Sequence, residues 1–214
     1  MHSRPIYAQH SIYFIAYKPV TLAVADDETI LLTLRLAGSV PARAGRELQV
    51  KRVAAQAAAR TAPDPTAASR RAEKQFFAAF DALLDAHSVG PDYLGREKLA
   101  ELVAGELLMQ EEQGLRVPGF VLLPGHLHAV LVLPATAGLS LYKTIELLMQ
   151  RTAAQARRLL RGQLPPEADF WHPGSHELPI QDEAEQQRVL TYLAAHPARL
   201  GLPARFHEWP YVHG

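Results

Sequence analysis

Cysteine is absent from the 214 residues, which removes disulfides, thiolate metal sites and cysteine nucleophiles together. Any covalent nucleophile must then carry oxygen or nitrogen. Long apolar runs are missing too: no stretch approaches the roughly 18 residues that span a bilayer, and the opening MHSRPIYAQH lacks the charged-then-apolar order of a signal peptide. We therefore expect a cytoplasmic chain with no membrane partner. The third absence is an excess of charge. With 22 basic and 22 acidic residues the formal net charge is zero, which argues against broad, sequence-independent attachment to nucleic acid and confines any such binding to local patches. Residues 43–74 hold eight Lys or Arg against three acids, and residues 139–161 hold five against Glu146 alone. Each is also what a solvated helix face looks like.

What is present is an apolar fraction of 48%, enough for one domain with its own core, and within it the stretch LPGHLHAVLVLP at 123–134. Side chains on a strand alternate faces, so His126 and His128 point the same way while Leu127 faces the core. Two nitrogen donors side by side on a rigid element suit a divalent cation.

The hydropathy pattern predicts strands at 11–17 and 30–36, a helix at 43–60, a loop at 61–69 and a helix at 70–87 in which Phe76, Phe77, Phe80, Leu83 and Leu84 recur at helical spacing. A helix at about 95–112 follows, broken at Gly114. Two strands at 115–123 and 126–133, joined at Pro124-Gly125, should form an antiparallel hairpin. A long helix spans 139–161, HELPI at 176–180 is a short extended segment, and Asp182 with Glu185 resembles a capping box opening a last helix that Pro197 closes. The order suits an α+β fold, an antiparallel sheet with helices packed on one face.

In the last helix Val189, Tyr192, Leu193 and His196 share one face. Taken alone, the Tyr192–His196 pair is also what ordinary packing produces. Read with His126 and His128, it becomes a metal site of three histidines with an oxygen nucleophile beside it, a layout that serves phosphoryl transfer. Free phenol titrates near pH 10 and is a poor nucleophile at neutral pH. A divalent cation on the non-bridging phosphate oxygen offsets the charge that opposes its attack.

His126-Leu127-His128 after Leu123-Pro124-Gly125, then Tyr192 and the run from His196 to Leu202, resemble the HUH single-tyrosine transposases of insertion sequences, nearest to the REP-associated tyrosine transposases. TLRLAGSVP at 33–41, DFW at 169–171 and HEWP at 207–210 add to the likeness, which runs from about residue 30 to 211. The resemblance implies a ferredoxin-like α/β sandwich. It further implies His126 and His128 as metal ligands with His196 completing the site, Tyr192 as the nucleophile of a 5′-phosphotyrosine intermediate, Mg²⁺ or Mn²⁺ as cofactor, and single-stranded or hairpin DNA as partner to a monomer or homodimer. It divides the chain into an N-terminal extension at 1–29 and a domain at 30–214 with a helical insertion at about 42–70. Arg151, Arg157 and Arg158 are candidates for phosphate contacts. His172 and His176 are expected on an exposed loop, with Glu177 as an acidic neighbour of the site. The chain departs from the family pattern at Gly125, at Met149 and at 175–177. With the neutral charge, these departures keep two alternatives open: an inactive, host-adopted DNA-binding protein, or a structural metal-binding domain.

Overall fold

Strand β3 (His126–Leu133) runs through the middle of the molecule and is buried along its whole length. It forms a tight hairpin with β2 (Arg116–Leu123) through Pro124-Gly125, and on its other edge pairs antiparallel with β1 (Glu28–Arg35). Two short strands, β4 (His176–Pro179) on β1 and β5 (Val212–His213) on β2, complete an antiparallel sheet of order β4-β1-β3-β2-β5. These elements come from a computed structural model that describes residues 28–86, 90–135 and 140–214. The strand expected at 11–17 lies outside the described residues.

Alternation sorts the sheet into two apolar faces. Leu127, Ala129 and Leu131 of β3, with Leu32 and Leu34 of β1, face α3 (Glu97–Leu108) and α4 (Leu141–Leu159) and make the larger core. Val130, Val121, Leu123 and Leu31 face the other way, toward Leu193 of α5 (Glu183–Arg199) and Phe77 of α2 (Pro65–Asp85). The α+β class and antiparallel sheet are as expected. Helices cover both faces, however, where the chain pattern led us to expect one, because α5 and α2 both pack on the second face. Helix α1 (Ala42–Ala59) buries only Ala59 and packs on α2 as a helical hairpin, which lays α2 over the second face.

Two local readings change for identifiable reasons. The loop expected at 61–69 is cut short because Asp64 caps α2, accepting a hydrogen bond from Ala67 N at 3.0 Å, and Pro65 occupies the first helical position, where its missing N–H costs nothing. Pro197 does not close α5. The helix runs on to Arg199 and ends where Gly201 turns left-handed at φ +62°. The capping box at its start forms as read: Asp182 accepts from Glu185 N at 2.7 Å, and the Glu185 carboxylate reaches back to Gln181 N at 3.1 Å. Gly119 lets α5 come close to β2, since a Cβ there would lie 2.7 Å from Leu190 Cδ2 and 2.9 Å from the His213 carbonyl oxygen.

Candidate metal centre and nucleophile

The register sets the floor of the site. His128 pairs with Thr33 on one side and Val121 on the other, and His126 pairs with Arg35 and Leu123, so both imidazoles rise from the face that α5 and α2 cover. Their ring centroids lie 4.8 Å apart. Helix α5 brings His196 to 6.1 Å from the His126 ring and 5.6 Å from the His128 ring, with Tyr192 one turn earlier at 5.0 Å from His196. The structure thus gathers all four residues singled out by spacing.

Two carboxylates from α2 complete the cluster, and the sequence reading did not include them. Asp81 accepts a hydrogen bond from the Tyr192 hydroxyl on Oδ2 and bonds His128 Nε2 at 2.8 Å on Oδ1. Asp85, one turn on, lies 3.0 Å from His196 Nε2 and 3.9 Å from His126 Nε2. Their signal was in the spacing: Glu73, Phe77, Asp81 and Asp85 follow one another in steps of four, so an acid pair shares a helix face with a core phenylalanine.

Donor atoms of Asp81, Asp85, His126 and His196 all lie within 4.8 Å of one another. His126 Nε2 is buried with no hydrogen-bond partner among the described residues, an expensive arrangement unless a cation takes it up, while His196 turns its Nε2 to Asp85. The set fits a divalent ion. His128 is placed differently from His126: Nδ1 is 2.9 Å from Thr33 Oγ1 and Nε2 is on Asp81, so both nitrogens are engaged and the ring orients the carboxylate. Two carboxylates with two imidazoles are a harder donor set than three imidazoles.

Electrostatics agree with a cation site. Burial drives the His126 pKa well below its ordinary 6.5, reinforced by the neighbouring His128 and His196 and opposed by Asp81. The His128 pKa is lowered by burial against the pull of Asp81. Neutral imidazoles are the form that binds metal. Burial acts to raise the Asp81 pKa, but the hydrogen bonds from His128 and Tyr192 outweigh it and hold the group at about 2. Tyr192 is pushed above its usual 10 by burial and by its bond to Asp81, with Arg199, whose guanidinium carbon sits 4.6 Å from the ring centroid, acting the other way. At rest the phenol keeps its proton.

The other candidates fall elsewhere. Arg151, Arg157 and Arg158 are on α4, across the sheet from Tyr192, and the Arg157 guanidinium donates to the carbonyls of Pro166 at 3.1 Å and Ala168 at 2.5 Å. His176 is not on an exposed loop. It is buried on β4, among Phe76, Phe77 and Phe80 and 3.8 Å from Glu73, because its strand position shares the face of Leu178. Glu177 alternates to the exposed side, bonded by Ser175, so it is no neighbour of the site. His172 is half-buried, and burial with the nearby Arg35 lowers its pKa to about 4.

No protein-family model and no curated protein sequence matches the chain. Among solved structures, the fold is similar to that of a REP-associated tyrosine transposase bound to a REP hairpin, at a TM-score of 0.50 over 96% of this chain and 81% of that one, with 12% sequence identity. At that identity the likeness is one of fold.

Proposed function

We propose that this chain nicks and rejoins single-stranded DNA through a 5′-phosphotyrosine bond at Tyr192, assisted by a divalent ion, Mg²⁺ or Mn²⁺, on Asp85, His126 and His196 with Asp81 at its edge. One observation carries the reading: the Tyr192 hydroxyl and the His128 imidazole meet on the two oxygens of one carboxylate, at the border of a buried donor set in which His126 Nε2 has no partner among the described residues. The likeness to a transposase fold supports it.

When bound, the ion supplies charge compensation on a non-bridging phosphate oxygen. The chain's residues do the rest. His128, held by Thr33, fixes Asp81; Asp81 holds the phenol oxygen beside the donor set and is the nearest acceptor for its proton. Attack of that oxygen on phosphorus breaks the bond to the 3′ oxygen, which leaves as a hydroxyl on taking up a proton, and a later 3′ hydroxyl reverses the exchange. The phenol and all four donors are drawn from one copy of the chain.

A second reading is favoured by α2 lying over the site with the phenol engaged: the ion is structural and no DNA is cut. Incubation with end-labelled single-stranded oligonucleotides and Mn²⁺ separates the two. The enzymatic reading predicts a covalent, denaturant-resistant species that Tyr192→Phe abolishes. A Mn²⁺-dependent rise in melting temperature in both proteins, with no such species in either, supports the structural reading.

A further inference from the structure

A narrow cleft of about 200 Å³ opens beside Tyr192, lined by Leu31, Phe77, Leu178, Lys74 and Arg188 among others. Lys74 also lines a wider, open cavity of about 550 Å³ with Arg70, Arg71, Gln75 and Gln181, so the two adjoin and lead from the phenol outward along α2. Lys74 is tied to Glu185 at 2.5 Å. Arg70, Arg71 and Arg188 are exposed, and none has an ion-pair or hydrogen-bond partner among the described residues. In a chain of zero net charge, three unpaired guanidinium groups along one groove are a local concentration of positive charge.

We propose that this groove is the track for the single strand flanking the scissile phosphate, with backbone phosphates over Arg70, Arg71 and Arg188 and bases against the apolar wall that includes Phe77. The inference rests on the nicking reading above and adds the path by which substrate reaches Tyr192. An apolar wall under a basic rim fits unpaired bases; a duplex, whose bases are stacked inside, has no use for it. The helical hairpin α1–α2 is then a substrate-guiding element as well as the source of Asp81 and Asp85. Arg70 precedes Asp81 by 11 residues, roughly 16 Å at the helical rise. At roughly 3.4 Å per stacked nucleotide that is about five nucleotides.

The test is fluorescence anisotropy with labelled oligothymidylates of increasing length on the full chain in the Tyr192→Phe background, where no cleavage occurs. Affinity rises with length and levels off once about five nucleotides extend past the site. Replacing Arg70, Arg71 and Arg188 together by alanine weakens binding about 10- to 100-fold at low salt and reduces the slope of log affinity against log salt by about 2, while the melting temperature holds. Lysine at the three positions restores the slope. Unchanged affinity and slope in the alanine variant overturn the track, as does a duplex of equal length binding as tightly as the single strand. Failure of the nicking reading looks different: the wild-type chain forms no covalent species, yet the salt slope still drops with the arginines.

Discussion

Lowering the pH from 7 to 5 perturbs the centre without changing a residue. The fold keeps His126 and His128 neutral because burial penalises their charged forms, whereas in the unfolded chain each titrates near 6.5. A depressed folded-state pKa contributes stability that is fully present above 6.5 and is lost as the pH falls toward the folded value, because the unfolded chain takes up protons that the folded one refuses. The unfolded chain sets the ceiling: an imidazole that titrates near 6.5 there changes stability by at most about 2 kcal/mol between pH 7 and 5, to be set against the roughly 5–15 kcal/mol that holds a typical domain. Asp81, held at about 2 against an ordinary 3.8, contributes nothing to this window; its share disappears only below about pH 4. Urea unfolding of the metal-free protein at pH 7 and 5, repeated on His126→Gln, reads the effect as a change in midpoint, and the variant shows a smaller loss. Equal or greater stability of the wild-type chain at pH 5 refutes the reasoning, since it requires protonated imidazoles in the fold.

Other consequences follow from single contacts. Asp85→Asn or His126→Ala lowers Mn²⁺ affinity about 100-fold or more by calorimetry, and Thr33→Val, which leaves His128 Nδ1 without its partner, lowers it about 10-fold. Asp81→Asn removes the carboxylate that favours the protonated phenol, so the Tyr192 titration moves down toward pH 10, seen as phenolate absorbance against a Tyr192→Phe reference. Gly119→Ala places a Cβ against Leu190 and the His213 carbonyl and destabilises the fold by about 1–3 kcal/mol in urea unfolding, while Ala129→Gly serves as a cavity control on the far face.

The parts of this site legible in the amino-acid order were those fixed by a local period. Alternation along β3 puts His126 and His128 on one face whatever the rest of the chain does, and four-residue steps along α5 put Tyr192 beside His196. The carboxylates were hidden because their role depends on where the α1–α2 hairpin lands: Asp81 meets His128 across 47 residues and Tyr192 across 111. Four-residue spacing from Phe77 places both acids on one helix face and does not say what that face meets. The burial of His176 is not legible locally, because a strand of four residues is too short for alternation to declare itself. Pro197 reads as a terminator by local rule, yet a proline near a helix end removes only one hydrogen bond, and the packing of His196 and Pro197 in the interior outweighs it.

Peptide mapping of the protein after reaction with single-stranded DNA and Mn²⁺, with mass spectrometry of the nucleotide-bearing fragment, locates the covalent bond to one residue. A phosphodiester from the 5′ end of the cleaved strand to the Tyr192 oxygen is the predicted result. No adduct, or one on any other side chain, contradicts Tyr192 as the nucleophile at this centre.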